Sequence, residues 1–168
     1  MKLSVNKEQI IEGLQKAAAI IPAKAGAAYL RSIWLKAEKG SLSIMATDAN
    51  IEFTGRYPAE VKQPGLIGVQ GRAFVDLVRQ LPAGVLQLTL DESTGNLLLE
   101  QGRRTYKLPV SGAEWFQNFS EFPAESPVTW SGDFLQDVLD RVVFCISDDD
   151  ATDAITCLYM KPCGNGRI

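Results

Sequence analysis

Residues 71–84 read GRAFVDLVRQLPAG, and the spacing within them predicts one helix with two unlike sides. An α-helix advances about 100° per residue, so positions seven apart return to within about 20° of one direction. Arg72 and Arg79 are seven apart. They therefore share a line along the helix, while Phe74, Val75, Leu77, Val78 and Leu81 gather on the opposite side as a core-facing stripe. Pro82 and Gly84 stop the helix. Two outward guanidinium groups can be a solvated helix face or a contact surface for anions, and the rest of the chain decides between them.

Working outward from this helix, a strand over Leu66–Val69 leads into it, and three β-rich runs follow, Val85–Leu90, Asn96–Glu100 and Arg104–Leu108. The same order occurs upstream. Lys2–Val5 reads as a strand, and Asn6 caps a helix with Gln9 in the capping-box position. Ile10, Leu14, Ala17, Ala18 and Ile21 recur at helical spacing before Pro22. Runs at Tyr29–Ala37, Leu42–Ala46 and Ile51–Tyr57 follow, separated by the turn signals EKG and TDAN. Strand, helix and three strands are thus given twice. The expected class is α+β, with both helices on one side of antiparallel sheet.

Residues 111–127, SGAEWFQNFSEFPAESP, break the pattern with two prolines and four aromatics, Trp115, Phe116, Phe119 and Phe122. They read as a connector whose aromatics tuck against a domain. Beyond it the chain begins again. At an offset of 125, Leu3–Val5 falls on Val128–Trp130, the apolar helix positions fall on Leu135, Leu139, Val142, Val143 and Ile146, and LRSIWLKA falls on ITCLYMKP, residues 155–162. The expected domains are residues 1–120, a connector over 121–127, and a unit over 128–168 that stops about a third of the way through, as in a fragment of a longer protein.

Composition narrows the chemistry. The 168 residues contain no histidine, which removes histidine-based nucleophile systems, histidine general acid–base chemistry and histidine-ligated zinc within this stretch. Cys145, Cys157 and Cys163 have no CxxC spacing and read as reduced thiols. Gly65, Gly68 and Gly71 form neither GxGxxG nor a Walker loop. No apolar leader opens the chain and no apolar run is long enough to span a bilayer, so a cytoplasmic location without membrane contact is expected. Residues 1–127 hold 14 Lys or Arg against 13 Asp or Glu, whereas 128–168 hold 3 against 7. Neither part has the excess of a protein that grips DNA by charge alone. One enzymatic alternative remains: Asp148, Asp149, Asp150 and Asp153 are dense enough to hold Mg²⁺ for phosphate chemistry, although an exposed acidic loop after a helix end is the better reading of them.

The opening MKLSVNKEQIIEGLQKA, the run LSIMATDANIEF, the helix GRAFVDLVRQLP and the stretch QGRRTYKLPVSGAEWFQNF, in this order, resemble the β sliding clamp family of bacterial DNA polymerase III. The resemblance implies three similar domains per chain and two chains closed head to tail around duplex DNA. It implies a non-catalytic processivity subunit of the replicative polymerase, sequence-independent contact with double-stranded DNA, partnership with polymerase and clamp loader, and no cofactor or metal. By the same resemblance Lys24, Arg72 and Arg79 face DNA, with Lys7 and Lys16 weaker candidates. Arg103, Tyr106, Lys107 and Leu108 lie on an edge strand that meets the partner subunit, and Ile155 lines a pocket for partner peptides. The full-length protein is expected to be a homodimer and this chain a monomer. A scaffold with the same repeat but no DNA function is the other alternative.

Overall fold

A computed structural model describes residues 1–22, 27–119, 129–147 and 155–161. The chain divides into two units, Met1–Ser120 and Glu121–Ile168.

The first unit runs β1 (Lys2–Asn6), α1 (Lys7–Ile20), β2 (Ser32–Glu38), β3 (Ser41–Thr47), β4 (Glu52–Pro58), β5 (Glu60–Gln63), β6 (Gly65–Gln70), α2 (Gly71–Gln80), β7 (Val85–Asp91), β8 (Asn96–Gln101) and β9 (Arg104–Ser111). Its nine strands form one sheet, in the order β4-β3-β2-β6-β9-β8-β7-β1-β5, with antiparallel neighbours throughout.

The two halves exchange strands. β1, which enters α1, pairs with β7, the first strand after α2, in a register of Asn6 opposite Val85. β6, which enters α2, pairs with β2, the first strand after α1, with Gln70 opposite Ser32. Each half therefore completes the other's sheet, and neither is an independent layer. Strand β5 is absent from the sequence expectation because EVKQ is short, polar and bounded by Pro58 and Pro64. Its place follows from the twofold pattern. In the second half β9 first pairs with β8 and then, at Val110 and Ser111, with β6. In the first half the same path is broken at Ala59: β4 pairs with β3, and β5 pairs with β1.

Alternation sets the core. Leu3 and Val5, Ile33, Leu35 and Ala37, Leu42, Ile44 and Ala46, Ile67 and Val69, Leu86 and Leu88, and Leu97 and Leu99 point to one side of their strands. They meet Ile10, Leu14 and Ala17 of α1 and Phe74, Val75 and Val78 of α2. Asn6 caps α1 by accepting from the Glu8 N–H at 3.2 Å. Both helices end one residue before an apolar cap, Ile21 or Leu81, that is followed by Pro22 or Pro82.

β2 starts three residues later than its sequence suggests. Ala28–Arg31 form a 3₁₀ turn, in which the Ser32 hydroxyl donates to the Ala28 carbonyl at 3.0 Å. The neighbouring strand β6 ends opposite Ser32, so residues 29–31 have no ladder to join. Trp34, on the reverse face of β2, is nevertheless buried. Phe116 packs edge-on against it with centroids 5.2 Å apart, and Phe119 lies 5.6 Å from Phe116. These two aromatics of the connector do tuck against the domain, while Trp115 is exposed and Phe122 lies outside the described residues.

In the second unit α3 spans Gly132–Asp140, capped by Ser131, whose hydroxyl accepts from the Phe134 N–H at 3.2 Å. Ser131 is the position that the offset of 125 matches to Asn6. The helix does not continue to Ile146 as expected. It gives way to a 3₁₀ turn at Val143–Cys145, where two β-branched valines replace the alanines of α1 and disfavour the α form. The expected strands are also not seen among the described residues: Thr129 and Trp130 are irregular, and residues 155–161 make a backbone bond from the Ser147 N–H to the Ile155 carbonyl but form no strand. A strand needs a paired neighbour, and the described residues of this unit supply none. None of them is buried.

Candidate nucleic-acid interface

Helix α2 is anchored by Phe74 and Val78, both fully buried, and by Val75. Leu77 is only half-buried and sits at the margin of the stripe. The same rotation leaves Arg72 and Arg79 exposed on the outer line, about 10 Å apart along the axis at 1.5 Å per residue. Asp76 lies between them, one oxygen 3.9 Å from the Arg79 guanidinium. Arg72 makes no ion pair among the described residues. Three charges on α2 thus sum to +1, from Arg72, Asp76 and Arg79.

Helix α1 packs alongside α2, and its two lysines are balanced by Glu8 and Glu12. Lys16 pairs with Glu12 at 2.7 Å, one helical turn away. The hydrogen bond from Lys16 holds the Glu12 carboxyl below its ordinary value and raises the Lys16 ammonium. Both groups are well exposed, so this pair neutralises local charge without adding much stability. Lys7 points its ammonium at the end of α2 and donates to the carbonyls of Arg79, at 3.2 Å, and Leu81. Lys24 lies outside the described residues.

The second candidate surface lies on β9. Gln101 and Arg104 close a two-residue hairpin with Gly102 and Arg103 at its tip, and Gly102 has φ +61°. A positive φ at the first central position suits glycine, and the turn carries Arg103 into solvent. β9 lacks a second neighbour over the stretch in which the resemblance places an edge strand. Its last two residues pair with β6, and only Arg104–Pro109 leave one backbone edge unpaired. That opening exposes Thr105 and Lys107 on one face and half-buries Tyr106 on the other. Leu108 turns inward into the core, at 9% exposure, and offers little area to a partner. In the other unit Ile155 is half exposed.

No group of three or more acidic, cysteine or histidine side chains is placed to hold a metal among the described residues. Asp148, Asp149, Asp150 and Asp153 lie outside them. No described helix is long and apolar enough to cross a membrane.

Residues 1–120 match the family model described as DNA polymerase III beta subunit, N-terminal domain. The chain belongs to the DNA polymerase III beta subunit family. Its relatives include the beta sliding clamp of Caulobacter vibrioides, 26% identical over 167 residues, which cover 99% of this chain and 45% of that protein. The beta sliding clamp of Vibrio cholerae is 26% identical over 151 residues, covering 89% of this chain and 41% of that protein. Among solved structures, Caulobacter crescentus pol III beta superposes with a TM-score of 0.82 at 26% identity, over 89% of this chain and 41% of that one. A putative DNA polymerase III beta subunit from Eubacterium rectale shares the fold at a TM-score of 0.85 and 20% identity, over 93% of this chain and 42% of that one. The chain spans less than half the length of the curated relatives it matches. Within the beta subunit family, then, this chain presents an N-terminal domain whose α2 carries an exposed arginine pair.

Sequence reasoning placed Arg72, Arg79, Arg103 and Lys107 on exposed surface, where the structure has them. It missed the engagement of Lys7, whose partners lie 72 and 74 residues away, and no local pattern signals such a contact.

Proposed function

We propose that this chain is the N-terminal part of a sliding clamp, a non-catalytic processivity factor that encircles duplex DNA and tethers the replicative polymerase. The family membership of residues 1–120 carries this reading. The arginine pair on α2 is its local support. A ring that slides needs contacts without sequence information, and phosphate contacts from long basic side chains meet that need. Such contacts must also be weak, because each phosphate neutralised adds to binding at one place. A net charge of +1 on α2 and a neutral α1 fit retention by topology better than retention by affinity.

Arg72 and Arg79, with Lys24 by resemblance, are the proposed DNA contacts. The unpaired stretch of β9, with Arg103, Tyr106 and Lys107 beside it, is the proposed subunit interface, where main-chain bonds and charge would join a partner's strand. Leu108 supports this strand from inside. Ile155 is the proposed contribution to a partner-peptide pocket. The full-length protein is a head-to-tail homodimer loaded by a clamp loader in the cytoplasm, and the 168-residue chain alone is a monomer. A saturable thermal shift at sub-millimolar Mg²⁺ would instead favour the phosphate-handling alternative.

The test is the double variant Arg72→Ala, Arg79→Ala. It should weaken binding to a short duplex and lower the salt slope by up to about 0.9 for each phosphate that is no longer neutralised. Stability should change by no more than about 0.5 kcal/mol. An unchanged slope with an unchanged fold rejects these residues as phosphate contacts. For the whole protein, retention on a closed circle and release after linearisation would separate a clamp from a scaffold that lacks topology.

A further inference from the structure

We infer that Lys7 is a positioning residue that fixes the C-terminal end of α2, and with it Arg79, and that its charge is committed to protein carbonyls instead of phosphate. The second half of this inference rests on the reading of α2 as a DNA-facing helix.

Four bonds join the dipeptide Lys7–Glu8 to the turn that ends α2. The Lys7 ammonium donates to the Arg79 carbonyl at 3.2 Å and to the Leu81 carbonyl. The Lys7 backbone N–H donates to the Gly84 carbonyl at 3.0 Å, and the Gly84 N–H donates to a Glu8 carboxylate oxygen at 3.3 Å. Strand pairing between Asn6 and Val85 continues directly from this cluster. Gln101 closes the far side, donating from its side-chain amide to the Pro82 carbonyl at 2.9 Å.

The chemistry suits the place. The last carbonyls of a helix have no partner within it and carry the negative end of its dipole. Pro82 and Gly84 cannot cap them with a side chain. An ammonium with three donors can reach two such carbonyls at once, and it is drawn there by the dipole. Holding the Arg79 carbonyl restrains the backbone that carries the Arg79 side chain, which is otherwise exposed and paired only at 3.9 Å with Asp76. Because Lys7 opens α1, the clasp also fixes the start of one helix to the end of the other. A lysine serving phosphate would need its ammonium free, and this one, on a partly buried residue, is already bonded to two carbonyls.

Lys7→Met tests the first half by amide hydrogen exchange. Exchange at Leu81 and Gly84 should accelerate about tenfold more than at Leu35 in the core strand β2. Equal acceleration at all three, or none, overturns the clasp. The wild-type chain, which needs no substitution, tests the second half by nitrogen-15 spectra of its side chains with a short duplex. The Arg72 and Arg79 guanidinium signals should shift while the Lys7 ammonium signal stays in place. Movement of the Lys7 signal with them assigns it to phosphate and overturns the inference. If no arginine signal moves, the DNA reading fails and takes the second half with it, while the exchange result still decides the clasp.

Discussion

The Tyr57 hydroxyl lies against the backbone of Gly13, in the space where a side chain on that residue would stand. Gly13 is buried in the middle of α1, and Tyr57, partly buried against the core, reaches it from β4. Glycine inside a helix costs about 1 kcal/mol relative to alanine, so the residue has a reason to be there. Close approach of the ring is that reason. Gly13→Ala should therefore destabilise the chain by about 1–2 kcal/mol, since overpacking by one methyl exceeds the helix gain. In a Tyr57→Ala background the sign should reverse, to a gain of up to about 1 kcal/mol. Urea titration of the four proteins as a double-mutant cycle measures the coupling, and the same sign in both backgrounds would refute it.

Phe74 and Leu77 lie on the same helix and are both apolar, yet they differ in burial. Phe74 has no exposed surface and touches the centre of the core, whereas Leu77 is half-buried at its margin. Phe74→Ala should cost about 3–5 kcal/mol, the range for a fully buried aromatic. Leu77→Ala should cost about 1–2 kcal/mol, because part of its side chain is already in water. Equilibrium unfolding orders the two, and a larger loss at Leu77 would mean that the stripe is turned differently.

These residues also show how far the sequence could be read. The period of α2 put both arginines outside and Phe74 inside, because a helix face follows from spacing alone. Burial depth along that face did not follow, since it depends on which strands lie beneath. Leu108 illustrates this, for the alternation of β9 turns it inward, while its resemblance to an interface position said nothing of direction. Strand β5 was hidden because polar residues between prolines carry no alternation signal. Lys7 was hidden more deeply: its helix-capping role exists only once the two halves exchange strands. After the connector, a helix was legible from its apolar spacing and is present as α3, but the expected strands need partners as well as pattern.

Asp91 supplies a pH-dependent contribution. One carboxylate oxygen accepts from the Ser93 N–H at 3.0 Å and the Ser93 hydroxyl at 2.6 Å, and the other accepts from the Thr94 hydroxyl at 2.7 Å. The Ser93 and Thr94 hydroxyl donors favour the charged form and hold its carboxyl below the ordinary aspartate value. A depressed folded-state value means that the stabilisation is present above the unfolded value of about 3.9 and is lost as pH falls through the folded one. Asp91→Asn should therefore lower the melting temperature at pH 6, and the gap to wild type should close as pH falls below about 3.9. A gap that is constant from pH 6 to pH 2 would mean that only geometry, and not ionisation, is at work in this turn.

Ala49 adopts φ +83°, the left-handed region that costs a residue with a Cβ about 1–2 kcal/mol. Its neighbours hold it there. The Thr47 hydroxyl oxygen accepts from the Ala49 N–H at 3.0 Å, and one Asp48 oxygen accepts from the Asn50 and Ile51 N–H groups at 2.8 and 2.7 Å. The turn joining β3 to β4 is thus set by its flanking side chains, and Ala49 conforms at its own expense. Ala49→Gly should relieve that strain, but glycine also loses more freedom on folding, leaving a net gain of about 0.5–1 kcal/mol. Ala49→Val should lose more than about 1 kcal/mol, because a β-branched residue tolerates positive φ least. Thermal melts of the two variants should fall on opposite sides of wild type, and a stabilising valine would show that the turn does not hold this conformation in solution.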